Sequence, residues 1–220
     1  MQRVIVFAEV LGVLVASVII HENAHGWVAL ALGDETAKRS GRLTLNPVKH
    51  FDFVGSLILP AMMYFTTGGM FGYAKPVPVN PSKLHGKDRW GFAVVALAGP
   101  VSNVILALVA SIIASKLYGF RVASVSPGDV QSVGGSLVPF LLSVAFALNM
   151  LLAAFNLLPI PPLDGSRLLR LVLNADGRRA LDRIEPYGFL ILLGLILWLS
   201  GPLFRIVTLI ESGLLRVLPV

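Results

Sequence analysis

Apolar residues run along this chain in long blocks separated by short polar stretches, a pattern too uniform for the one-sided faces of a soluble fold. Residues 4–32 are mostly Val, Ile, Leu, Ala and Phe, enough for a helix that crosses a bilayer with some tilt. Residues 90–116 predict a second full-length apolar helix. Residues 137–158 predict a third, which runs into Pro159, Pro161 and Pro162, where an α-helix cannot continue and the backbone has to unwind. Residues 187–200 begin a further span, and the tail from Pro202 spaces Arg205, Glu211 and Arg216 among Leu, Ile and Val, as an amphipathic or partly embedded helix would.

The block at 54–70 is different: short, interrupted by Pro60 and closed by Gly68 and Gly69. Basic residues flank it on both sides, which predicts a segment that enters the membrane and returns to the same face. Residues 41–46 alternate polar and apolar positions and stop at Pro47, which predicts a short strand, half of a hairpin, able to hold an extended peptide by edge pairing. The expected fold class is an all-α polytopic membrane protein with about four to five transmembrane helices. To these it adds a re-entrant or short apolar segment at 54–70 and a possible short β-hairpin near 41–46, with residues 1–220 forming one domain.

Composition supports this and narrows the function. The chain is 55% hydrophobic over 220 residues, with a mean hydropathy of +0.80. A net charge of +6 would suit nucleic acid, but Lys38, Arg39, Arg42 and Lys49, then Lys75, Lys83, Lys87 and Arg89, then Arg167, Arg170, Arg178, Arg179 and Arg183 sit in short loops beside apolar blocks. That is the positive-inside pattern, so the expected partner is the lipid bilayer and these loops are expected on the cytosolic side of the cell membrane; no nucleic acid is expected. The loop at 118–137 is nearly uncharged and is expected outside. There is no cysteine, which leaves His, Asp and Glu to hold any metal.

Within the first apolar block lies His21-Glu22-Asn23-Ala24-His25, and the only other ionisable residue between positions 4 and 32 is Glu9. Two histidines four apart fall on one side of a helix and can converge on one ion, with Glu22 beside them to take a proton from water activated by the metal. Ionisable groups at membrane depth cost several kcal/mol, roughly, unless they are paired or bound, and a metal would satisfy both histidines. A catalytic zinc site usually has a third protein ligand. Asp164 is the candidate, because it follows the unwound proline turn at the end of a span; its alternative role is to cap a helix beginning at Ser166. His21, His25 and Asp164 all lie where an apolar helix approaches a basic loop, so the first and third full-length helices have to run parallel. An odd number of spans must then separate them, which again requires the segment at 54–70 not to cross.

Three motifs in order resemble the site-2 proteases, a family of intramembrane zinc metalloproteases. His21-Glu22-Asn23-Ala24-His25 is similar to the first motif of that family, Gly99-Pro100-Val101-Ser102-Asn103 to its G-x-x-x-N, and 156–165 to N-x-x-P-x-P-x-L-D-G at every specified position. The run at 75–81, Lys-Pro-Val-Pro-Val-Asn-Pro, resembles the small prokaryotic branch, so neither a PDZ insertion at 118–137 nor a C-terminal CBS region is expected. The resemblance implies one zinc ion per chain on His21, His25 and Asp164 and Glu22 as general base. It also implies Asn156 as a polar neighbour for substrate or oxyanion and Asn103 as a further candidate, which could equally hydrogen-bond between helices. The implied substrate is a transmembrane protein or peptide, cut within or near the bilayer. A metal transporter using the same His and Asp residues is the alternative, and it has no need of Glu22 as a base.

Overall fold

The computed structural model describes residues 1–67, 70, 72–84, 89–120, 122, 137–198 and 200–217. The loop at 123–136, expected outside, lies outside these residues. Among the described residues there are helices and irregular segments but no strand.

Among the described residues three helices are long and apolar enough to cross a membrane: α1 (Gln2–Ala31) and, once α2 (Thr36–Arg39), α3 (Pro47–His50) and α4 (Leu59–Thr67) have been passed, α5 (Arg89–Tyr118) and α6 (Leu137–Asn156). Their packing is that of helices in lipid. On α5 the inward positions Ala93, Ala96, Pro100, Asn103, Ala107, Ala110 and Ala114 recur every three or four residues and are buried. Val94, Leu97, Val101, Ile105, Val109 and Ile112 form the opposite stripe and are exposed. With no water to drive helices together, small side chains that allow close backbone approach do the packing, and the large apolar ones face outward. Through the buried small-residue face α5 packs on both α6 and α1.

The segment after α3 turns back on itself. A π-helical turn, Val54–Ile58, leads into α4, and the apolar helix they form spans Val54–Thr66, about 20 Å of rise against roughly 30 Å of hydrocarbon. Tyr64 and Phe65 reach Phe7 near the start of α1, each with ring centroids 5.4 Å from it. Residues 72–80 then return as extended chain. The Tyr73 amide donates to Gly55 O at 3.0 Å, the Lys75 amide to His50 O at 2.9 Å, and the Asn80 amide to Asp34 Oδ2 at 2.6 Å just beyond the end of α1. The segment therefore leaves and rejoins the bundle at the same end, as its flanking charges predict. Its two arms touch at glycines: a Cβ on Gly72 would lie 2.7 Å from Gly55 O.

The expected hairpin at 41–46 does not form. The Thr44 amide donates to Arg42 O at 3.1 Å, a local turn, and Asn46 caps α3 by accepting from the Val48 amide at 3.0 Å with Pro47 in the first helical turn. The capping asparagine followed by proline outweighs the alternation. Thr44 O is already taken by Asn23 Nδ2 at 2.9 Å and His50 Nε2 at 2.8 Å, so this backbone is not a free edge.

Beyond α6 the chain is irregular through the prolines, then forms α7 (Asp164–Leu169), the polar α8 (Ala175–Ile184), α9 (Gly188–Trp198) and α10 (Ser200–Val217). The span expected at 187–200 is represented by α9, 11 residues long. The tail docks on the bundle: Val207 of α10 is buried among Ala154 and Phe155 of α6, Leu163, and Leu192 of α9.

Candidate metal centre

Asp164 is brought to the two histidines by the break in the chain after α6. Residues 157–163 cannot extend the helix through three prolines, so they fold across its end, and Asp164 enters as the first residue of α7. Its carboxylate does not cap α7, which has no side-chain cap. Asp164 Oδ2 instead lies 3.2 Å from His21 Nε2 and 3.2 Å from His25 Nε2, and the two Nε2 atoms are 3.1 Å apart. All three residues are buried.

The donor set fits a tetrahedral zinc ion, whose ligands at about 2.0–2.1 Å from the metal lie ~3.3 Å from one another. The other ring nitrogens are already engaged. His21 Nδ1 is 2.6 Å from Asn103 Oδ1, and His25 Nδ1 is 2.7 Å from Val95 O. Both acceptors are oxygens that take a proton, so each imidazole carries its hydrogen on Nδ1 and turns an Nε2 lone pair toward the other and toward a carboxylate. Such an arrangement is repulsive until a cation joins it. Backbone is held close as well: a Cβ on Gly99 would sit 2.4 Å from His25 Nε2 and 2.6 Å from His21 Nε2, so only glycine fits at that point of α5.

Glu22 is half-buried beside the three donors, and its Oε2 accepts a hydrogen bond from the Val77 amide at 2.8 Å. Val77 lies in the returning extended segment, between Pro76 and Pro78, so it is an isolated N–H in a stretch otherwise short of donors. That segment is tied at several points. Arg42 Nη2 donates to Lys75 O at 2.6 Å and to Pro76 O at 3.2 Å, and Asp34 holds Asn80. Asp34 also accepts from the Thr36 hydroxyl at 2.5 Å and the Thr36 amide at 3.0 Å. Burial alone would raise its pKa. These hydrogen bonds, from the Thr36 hydroxyl and then the Asn80 and Thr36 amides, outweigh that with help from Lys83, and hold the carboxyl below its ordinary value.

Glu22, His21, His25, Asp164 and Asn156 all line one cavity of about 770 Å³, bounded on one side by the extended segment and on another by Phe189 and Leu192 of α9. Asn156 uses its Nδ2 on Leu152 O at 2.9 Å. Asn103 is fully buried, its oxygen on His21 and its nitrogen on Asn149 Oδ1 at 2.8 Å, so it meets the site through the imidazole. Sequence reasoning missed four contributors: Asn149, Asp34, the Val77 amide and Arg167, whose Nη1 lies 3.2 Å from Asp164 Oδ1. A polar residue in the middle of an apolar span is a signal for Asn149. A main-chain donor such as Val77 N–H leaves none.

A model of the family described as peptidase family M50 matches residues 9–199. The chain is 39% identical to "Putative zinc metalloprotease YwhC" of Bacillus subtilis over 183 residues, covering 82% of this chain and 76% of that protein. Proteins with the same designation, named Rip2, are 32% identical in Mycolicibacterium smegmatis (87% of this chain, 68% of that one) and 31% identical in Mycobacterium tuberculosis (92% and 72%). No solved structure matches.

Proposed function

The chain belongs to peptidase family M50, the site-2 proteases, and is a zinc metalloprotease of multi-pass membrane character. From that premise we propose that it hydrolyses peptide bonds in the transmembrane segments of other proteins. His21, His25 and Asp164 hold one zinc ion, and Glu22 is the general base. The observation that carries this reading is the meeting of two histidines one helical turn apart with Asp164 from far along the sequence, with Glu22 on the same cavity wall.

Zinc bound there supplies Lewis acidity, which polarises a scissile carbonyl and brings the pKa of water toward neutrality, about 7. The rest is done by the protein. Glu22 accepts the proton of the attacking water and returns it to the leaving amine, and the hydrogen bond from Val77 fixes which of its oxygens is free to do so. Asn156 presents a polar side chain to substrate in the cavity and steadies the charge that develops on the carbonyl oxygen. Asn103 acts one step back by orienting His21. A transmembrane helix hides its amides in its own hydrogen bonds, so the segment to be cut has to unwind, and the irregular chain at 157–163 and 72–80 lines the space where it does. The basic loops support an opening on the cytosolic side.

The test is purified protein in detergent, incubated with single-span membrane proteins, comparing wild type with Glu22→Gln. The variant is expected to retain zinc and to lose hydrolysis by about three orders of magnitude or more. A variant that still cleaves at the wild-type rate would remove Glu22 from the mechanism. Zinc-dependent flux into vesicles without any cleavage would replace the protease reading with transport.

A further inference from the structure

A buried ring of hydrogen bonds leads away from His21 and returns to the same helix. His21 Nδ1 meets Asn103 Oδ1 of α5, Asn103 Nδ2 donates to Asn149 Oδ1 of α6, and Asn149 Nδ2 donates to Ser17 Oγ at 2.9 Å. Ser17 stands one turn before His21 on α1. The same Asn149 nitrogen also donates to Ala145 O at 2.8 Å. Ser17, Asn103 and Asn149 are 3%, 0% and 1% exposed, so no solvent can stand in for a lost partner.

The ring has a direction, and that direction starts at Asn149. Ala145 O is a carbonyl and can only accept, so the side of the Asn149 amide facing it must be the nitrogen. Its oxygen therefore faces Asn103. The Asn103 nitrogen must meet that oxygen, which turns the Asn103 oxygen toward His21. An oxygen there accepts only, so the imidazole carries its proton on Nδ1 and leaves Nε2 unprotonated on the side of Asp164 and His25.

We propose that Asn149, backed by Ser17, is a positioning residue of the metal centre: it fixes the orientation of the Asn103 amide and, through it, the tautomer of His21. The inference rests on the zinc reading of the site. Without the Asn149 carbonyl, the Asn103 nitrogen has no partner in an apolar interior, which is costly. The amide regains one by turning round and donating to His21 Nδ1. His21 then carries its proton on Nε2, the atom that should bind the ion. A plain structural role, in which Asn149 only ties α5, α6 and α1 together, would weaken the fold and leave the metal alone.

Asn149→Leu and Asn149→Asp separate these roles in the full chain in detergent. A protonated Asp keeps the shape, the carbonyl toward Asn103 and a donor toward Ser17. Zinc affinity is read by competition with a chelator, and the His21 tautomer by ¹⁵N chemical shifts in the metal-free, histidine-labelled protein. N149L is expected to bind zinc about 10-fold or more weakly and to shift His21 from the Nδ1–H toward the Nε2–H form. N149D is expected to stay within about threefold of wild type, in line with the small cost of a kept contact. Wild-type affinity in a folded N149L, with only its melting temperature lowered, overturns the proposal. Should N149L fail to fold, Asn149→Ala is read in its place: wild-type affinity and an unshifted His21 tautomer in folded N149A overturn the proposal, as does a folded N149D that binds zinc about 10-fold more weakly than wild type. Wild-type protein that binds no zinc would bring down the zinc reading itself, a different failure from wild-type protein that binds and an N149L that binds equally well.

Discussion

The two walls of the proposed metal site are built in opposite ways. On one side His21, His25 and Gly99 belong to long helices packed through small side chains, and each imidazole is locked by a buried acceptor. On the other, Glu22 and Asp164 are addressed by irregular chain: the extended segment that reaches Glu22 through Val77, and the proline turn that delivers Asp164. The helical wall sets the orientation of the two imidazoles. The irregular wall provides what helices in lipid cannot, backbone that lines a cavity, which membranes tolerate only where protein surrounds it. A hydrolytic site in a bilayer needs both, and here they meet along one face of α1.

Substitutions can break this contrast at different strengths. The largest effect is expected where both walls converge: His25→Ala or Asp164→Ala leaves two ligands, and bound zinc measured by elemental analysis should fall to below about a tenth of an equivalent per chain after dialysis, with hydrolysis undetectable. Next comes the helical wall alone. Gly99→Ala places a methyl against His25 Nε2 and His21 Nε2, and since the obstructed atoms are those proposed to bind the ion, zinc affinity should drop by about 10- to 100-fold while helix content by circular dichroism stays the same.

The irregular wall should respond in stability before it responds in chemistry. Asp34→Asn removes a charged acceptor shared by Thr36 and Asn80, with an expected cost of about 1.5–3 kcal/mol at neutral pH, read as a lower melting temperature. The sign of its pH dependence follows from its lowered folded pKa. The stabilisation is complete above the ordinary value of 3.8 and is lost as pH falls through the lower folded value. The gap between wild type and variant should therefore be constant above about pH 5 and close in more acid solution. The smallest effect is expected outside both walls: Arg39→Ala breaks an exposed pair with Glu35, and no shift in melting temperature should be resolved.

The same contrast explains what was legible in the sequence. The helical wall could be read almost completely, because apolar length sets the spans and the His21–His25 spacing sets a shared face. Asp164 was reachable because prolines announce an unwound turn, and the re-entrant course of 54–70 because charge on both flanks fixes its ends. What alternation at 41–46 suggested was local, and a capping Asn46 followed by Pro47 overrode it. The extended chain lies instead at 72–80, held through its own main-chain N–H and C=O groups, which no side-chain pattern records. Asn149 needed the packing of α5 against α6 before its partner was apparent.

The central claim is that one ion is held by two imidazoles and a carboxylate drawn from both walls. X-ray absorption at the zinc edge of the purified protein tests it most directly. The expected spectrum has only nitrogen and oxygen neighbours at about 2.0–2.1 Å, with the outer scattering of two imidazole rings. A spectrum with no imidazole scattering, from protein that retains its zinc, would contradict the account.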